Sequence, residues 1–158
     1  MKFKLLLILN LVLASLAAGD AHAYPDTFGD GTYMPVGVTL GMDTINGGFA
    51  GGEVSIVSFK KVLGVTMQSL LGVYGDYIVS GDTRRISAGP EYGIFPFIFD
   101  CGYLNFREDG DTRHGFTVRA AVILFAIPYV RYGRVFGEGT TGNYVEFGVL
   151  LKIPVPLP

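Results

Sequence analysis

Arg113-His-Gly-Phe-Thr-Val-Arg-Ala-Ala-Val-Ile-Leu-Phe-Ala-Ile-Pro-Tyr-Val-Arg-Tyr-Gly-Arg134 is the stretch whose reading decides the fold. In its first half Phe116, Val118, Ala120, Val122 and Leu124 share one parity, and Thr117, Arg119 and Ala121 share the other. A period of two belongs to a β-strand, whose successive side chains point to opposite faces. Arg119 stands in mid-strand with apolar residues on both sides. A soluble sheet turns such a charged face to water and packs the apolar face into a core. A membrane barrel reverses this, with apolar side chains toward lipid and polar ones toward the lumen.

Composition bears on the choice. The chain has 158 residues, one domain by length, with 16% charged residues and 23 glycines. Its mean hydropathy is +0.41. An average globular protein carries about 25% charged residues and about 7% glycine. So little charge covers an ordinary water-soluble surface poorly. The net charge of −2, with no basic stripe interleaved with aromatics, argues against nucleic acid as a partner.

Lys2 and Lys4 precede an aliphatic run over 5–16, and Ala21-His-Ala23 follows with the small-x-small pattern of a cleaved export signal. The run falls short of the roughly 20 residues that span a bilayer as a helix. Residues 1–23 are therefore expected to be a signal peptide and 24–35 a turn-rich arm. A single cysteine, Cys101, rules out an intramolecular disulfide. No later apolar run reaches 18 residues, so any entry into a membrane is by strands.

From 36 to 153 the chain divides into apolar-alternating segments, expected as eight strands. They include 36–43, 49–59, 62–79, 84–94 and 143–153, with the opening hairpin supplying two. Asn46-Gly47, Gly81-Asp82, Asp109-Gly110 and 137–142 read as polar loops. Lys60-Lys61, Phe95-Pro96 and Ala126-Ile127 read as tight turns. Pro90 suggests a bulge, and the proline-rich tail 154–158 reads as a stop that cannot extend a ladder. Long polar loops on one side and short turns on the other form the asymmetry of outer-membrane barrels, whose strands need about 9–11 residues to cross.

On these features the chain resembles the small eight-stranded outer-membrane barrels of the OmpA/OmpX type. The resemblance covers roughly 36–153 and is one of architecture, without a residue-level motif. It implies an all-β, closed antiparallel up-and-down transmembrane barrel in the bacterial outer membrane. The chain departs from the class at Pro158, where an aromatic residue is common.

The polar parity then supplies the candidate site: Glu53, Gln68, Glu91, Asp100, Arg119, Arg131 and Glu146. In a narrow lumen these converge and must pair, because an unpaired buried charge costs several kcal/mol. Arg119 and Arg131 are the expected hubs of bidentate pairing, and Arg134, of opposite parity, is expected at the rim near Tyr132 and Phe136. His114 lacks a nearby serine or cysteine partner, and Cys101 lies on the apolar parity, so no catalytic set is read. Gly137-Glu-Gly-Thr-Thr-Gly142 matches a nucleotide-binding pattern but lacks the helix that must follow it. Glu108-Asp-Gly-Asp111 lacks the spacing of a calcium loop.

The expectation is a monomeric, non-enzymatic outer-membrane barrel without cofactor, its interior filled and salt-bridged. Its partners would be membrane lipid and, weakly, divalent cations at the acidic loops. The alternative is a soluble exported barrel of lipocalin type, binding an apolar small molecule. It requires Phe97, Phe99, Val118 and Val122 to line the lumen while Arg119 and Glu53 face water.

Overall fold

The computed structural model describes residues 30–61, 68–108, 110–137 and 142–158. The expected signal 1–23, the start of the arm, the first six residues of the segment 62–79, Asp109 and 138–141 lie outside the described residues.

Nine strands are described: β1 Gly31–Tyr33, β2 Val36–Asp43, β3 Gly47–Lys61, β4 Gln68–Ser80, β5 Thr83–Ile94, β6 Phe97–Glu108, β7 Asp111–Val122, β8 Ile127–Phe136 and β9 Gly142–Ile153. Strands β2 to β9 pair antiparallel in chain order, and β2 pairs with β9, so the sheet closes into an eight-stranded up-and-down barrel. Closure leaves no edge strand in the wall, which removes the usual template for aggregation.

Alternation persists through every strand. In β5, Thr83, Arg85, Ser87 and Glu91 are buried, while Ile86, Tyr92 and Ile94 are exposed. In β7, Thr117 and Arg119 are buried, while Phe116 and Val118 are exposed. The polar parity is the inner wall and the apolar parity the outer one. This overturns the residue placement of the soluble alternative: Phe97, Phe99 and Val118 lie on the outer wall, while Glu53 and Arg119 lie inside at 3% and 2% exposure.

Positive-φ glycines, Gly47, Gly81 and Gly110, shape three hairpins at one end of the barrel. They match the expected turn positions, where the left-handed conformation favours glycine. The opposite end departs from expectation. Lys60 and Lys61 are not a turn but the last two residues of β3, opposite Ser69 and Gln68. The β7–β8 connection spans 123–126 rather than centring on Ala126-Ile127. Among the wholly described connections the expected asymmetry of loop length is not seen: 44–46 and 81–82 at the polar end are as short as 95–96 and 123–126 at the other. The ends differ in chemistry instead.

Pro90 inserts no bulge. Ala88 faces Tyr103 and Glu91 faces Asp100, so the β5–β6 register is the same on both sides of it. The proline-rich tail is also corrected. Met34 and Val155 exchange backbone hydrogen bonds, and Leu157 N–H donates to the Thr32 carbonyl. Pro154, Pro156 and Pro158 alternate with Val155 and Leu157, so every missing N–H points to one side of the tail. That side pairs with no described strand, because the β8 pairing stops at Leu150. The remaining N–H groups face β1. Strand β1 in turn continues the β2 register on β3 across Met34-Pro35, so arm and tail together raise one side of the wall.

Candidate functional site

The register of the closed sheet sets six ionisable side chains in one row around the inner wall. Glu91 faces Asp100, Asp100 faces Arg119, Arg119 faces Arg131, Arg131 faces Glu146, and Glu146 faces Asp43, across β5, β6, β7, β8, β9 and β2. A second row sets Lys152 against Gly37, Gly37 against Glu53, Glu53 against Asp76 and Asp76 against Ser87. Within the rows Asp100 meets Arg119 and Arg131 meets Glu146, but Glu91 meets Asp100, Arg119 meets Arg131 and Glu53 meets Asp76, so further pairing runs across the lumen.

It does so between opposite walls. Arg119 on β7 grips Glu53 on β3, four strands away, with one guanidinium N–H donating to Oε1 at 3.0 Å and a second contacting Oε2. Its Nε donates to Asp100 at 2.5 Å. Arg131 on β8 reaches Asp76 on β4, again four strands away, and lies 3.7 Å from Glu146. Arg85 on β5 bridges Glu146 on β9 and Asp43 on β2, both at 3.1 Å. Lys152 on β9 contacts Glu53 at 2.5 Å and Glu91 on β5 at 3.3 Å. Charge-assisted bonds of this kind are among the strongest a protein makes.

Aromatic rings separate and screen the cations. The Arg119 guanidinium lies between the rings of Tyr74 and Tyr129, 5.1 and 5.4 Å from their centroids. Arg85 lies 4.7 Å from the Tyr144 ring centroid. The rings need gaps in the wall, which glycines provide. A Cβ on Gly133 would stand 2.2 Å from the Tyr144 ring, and one on Gly148 2.6 Å from Tyr129. Tyr129 donates to Glu146 at 2.6 Å and is itself bonded to the Thr39 hydroxyl at 2.8 Å.

Of the seven residues expected from the sequence, six belong to this network: Glu53, Glu91, Asp100, Arg119, Arg131 and Glu146. Gln68 stands apart, half-buried at the first position of β4 and opposite Lys61. Four further members escaped the expected set: Asp43, Asp76, Arg85 and Lys152. All share the polar parity of their strands, which was the available signal. Arg134 lies on the outer wall with its guanidinium 5.5 Å from the Phe136 ring centroid, in unbroken register with Arg131.

Apolar clusters flank the network on either side. Leu104, Phe106, Val135 and Tyr144 pack together toward the polar-loop end, and Val57, Phe59 and Leu70 toward the end of the chain termini. The residues weighed for catalysis stand outside the lumen. Cys101 is exposed. His114 stacks on Tyr103, ring centroids 5.7 Å apart, and contacts its hydroxyl. Glu108 and Asp111 face each other at the β6–β7 turn, and Glu108 is paired with Arg113. Among the described residues no group of three His, Cys, Asp or Glu side chains could hold a metal ion.

No protein-family model matches the chain, and no curated protein matches it. Two solved structures are similar. The de novo designed protein TMB2.3, solved by NMR, has a TM-score of 0.47 and 16% identity, covering 80% of this chain and 98% of its own. The Yersinia pestis outer membrane protein Ail, in a phospholipid bilayer nanodisc, has a TM-score of 0.39 and 7% identity, covering 75% of this chain and 99% of its own.

Proposed function

We propose that the chain is an integral barrel of the bacterial outer membrane, exported by the segment 1–23. In this reading it is monomeric and non-enzymatic, with a structural or surface-interaction role rather than a conducting one. The observation that carries the reading is the distribution of charge between the two walls. Outward-facing Lys and Arg among the described strand residues stand only near strand ends: Lys60 at one end, and Arg84, Arg107 and Arg134 at the other. Between them the outer wall is Val, Leu, Ile, Phe and Tyr with small residues, far more exposed apolar surface than a soluble monomer tolerates. Strands of 12 residues tilted as a barrel requires rise about 30 Å, the thickness of a bilayer's hydrocarbon core.

Lipid is the proposed partner. Arg84 and Arg107 face each other directly across β5 and β6 on the outer wall, near the polar-loop end. Like charges so placed destabilise a sheet by a few tenths of a kcal/mol or more. A headgroup phosphate between the two guanidinium groups would reverse the sign of that term. Weak divalent-cation binding at the turn flanked by Glu108 and Asp111 belongs to the same reading, and calcium titration calorimetry checks it.

The test combines three readouts. Heat-modifiable migration on a detergent gel and retention in the membrane fraction at high salt are expected. Release by salt without detergent would sink the membrane assignment. In planar bilayers the cross-lumen pairs are expected to hold the barrel closed, and a steady ohmic conductance would remove the non-conducting role.

A further inference from the structure

The outward-facing cations at the polar-loop end are gathered on one arc of the barrel. Arg84, Arg107 and Arg134 stand on β5, β6 and β8, with His114 on β7 between the last two. The stagger of the sheet brings them nearly level. The row of partners through Leu40, Ala50, Val79, Arg84, Arg107 and Thr112, carried on by the registers of β7–β8, β8–β9 and β9–β2, closes ten residues out of step. Rows therefore climb toward the polar-loop end by just over one residue per strand from β5 to β8. Arg134 pairs with Phe116, four residues below the Thr112 that pairs with Arg107, and two strands of climb offset more than half of that. The four side chains fall within about 5 Å of one level along the strands. At this height the outward residues of the other four strands are uncharged: Asn143 on β9, Met42 on β2, Gly48 on β3 and Val79 on β4.

Arg84 and Arg107 are the densest part of this arc. They are exposed and face each other directly across β5 and β6, about 5 Å apart at Cβ. Neither forms an ion pair among the described residues. Of the acids at this end, Glu108 is paired with Arg113 and Asp43 with Arg85, while Asp82 and Asp111 are exposed at the turns. Two positive charges thus share one spot on the wall with no bound counter-charge among the described residues. Below them the wall turns apolar, beginning with the exposed Ile86 on β5 and Tyr103 on β6. An anion that fills the gap sits at the edge of an apolar layer, where a lipid carries its headgroup. Charge selects among headgroups. A phosphodiester offers two unesterified oxygens and one negative charge. A phosphomonoester offers three oxygens and about −1.5 to −2 charges at neutral pH, which matches two guanidinium forks.

We propose that Arg84 and Arg107 form a docking site for a lipid whose headgroup ends in a phosphomonoester. The phosphate lies between the two guanidinium groups and the acyl chains lie on the apolar wall beneath them. Arg134 and His114 extend the basic arc toward the neighbouring headgroup, and the arc of β9, β2, β3 and β4 meets uncharged or zwitterionic lipid. The site rests on the barrel's residence in a membrane, and goes beyond it in the headgroup it selects and the arc that selects it.

The experiment is native mass spectrometry of the folded full chain in detergent micelles, titrated with phosphatidic acid, phosphatidylglycerol and phosphatidylcholine of the same acyl chains. One phosphatidic acid per barrel is expected to bind at least fivefold tighter than phosphatidylglycerol, with phosphatidylcholine weakest. Arg84→Gln and Arg107→Gln are each expected to bring phosphatidic acid down to the affinity of phosphatidylglycerol. Lys60→Gln, at the opposite end and facing Ser69 rather than a second cation, is expected to leave the preference unchanged. Inorganic phosphate at the lipid concentration is expected not to displace the lipid, because it has no chains to lay on the wall. Equal affinity for the two anionic lipids, an unaltered preference in both arginine variants, an equal loss in Lys60→Gln, or displacement by inorganic phosphate would each overturn the proposal. Insertion into phosphatidylcholine vesicles, read by heat-modifiable migration, separates the two levels of failure. A barrel that inserts without headgroup preference overturns the docking site alone, and one that never inserts overturns the membrane reading with it.

Discussion

Val118 and Arg119 are neighbours in one strand, yet they stand in opposite solvents. Arg119 is 2% exposed and bound to two carboxylates, while Val118 is 47% exposed with nothing of its own chain covering it. In a soluble protein the exposures would be exchanged. The same inversion holds along every strand of the barrel. It teaches that the inner wall is where this molecule satisfies its own charges, and the outer wall is matched to an apolar medium.

That comparison can be broken from either side. The largest effect is expected from Arg119→Leu, which strands Glu53 and Asp100 in the lumen and should destabilise the fold by about 3–5 kcal/mol. Urea unfolding in lipid vesicles measures it, and a parental midpoint would show that the cross-lumen pairs do not hold the barrel. Next is Val118→Arg, the inverse change one residue away. On the lipid face near the bilayer midplane it should cost about 2–4 kcal/mol. The same assay reads it, and an unchanged stability would mean that this face meets water.

Gly133→Val tests the inner wall without touching charge. Its side chain would collide with the Tyr144 ring, which lies beside Arg85, and overpacking of this kind typically costs about 1–3 kcal/mol. Pairing the change with Tyr144→Ala should restore part of the loss, and the double-mutant cycle checks the contact. The smallest effect is expected from Arg84→Ala at the outer rim. In vesicles of uncharged headgroup it should be neutral or slightly stabilising, because it relieves the opposition to Arg107. In anionic vesicles it should destabilise by up to about 1 kcal/mol. Identical behaviour in the two lipids would remove the phosphate contact.

The legibility of this molecule follows the range of each interaction. Inward and outward faces, hairpin glycines and six of the charged residues were readable, because each depends on residues one or two positions away. The proline-rich tail misled because proline was read as a break in pairing. Its alternation with Val155 and Leu157 confines the missing donors to an unpaired side, visible only once β8 is known to end opposite Leu150. Lys60-Lys61 misled for a related reason: two lysines suit a turn, but the pairing with Ser69 and Gln68 extends β3 through them. Asp76 and Lys152 were passed over as ordinary polar-parity residues. Nothing local marks them as partners of side chains 55 and 61 positions away.

The sequence by itself determined that the chain makes alternating strands with a charged face and an apolar face. Period-two geometry assigns side chains to faces whatever the strands later pair with. Only the tertiary structure decided which charge meets which. Glu53 faces Asp76 in the sheet, and Arg119 faces Arg131. Those two in-sheet pairs set like against like, beside the opposite-charge neighbours Asp100 and Arg119, and Arg131 and Glu146. Closure with eight strands brings β7 opposite β3 and β8 opposite β4, and those diameters give Arg119 and Arg131 their cross-lumen partners Glu53 and Asp76. The stagger that sets these diameters is a property of the closed sheet, and no window of sequence contains it.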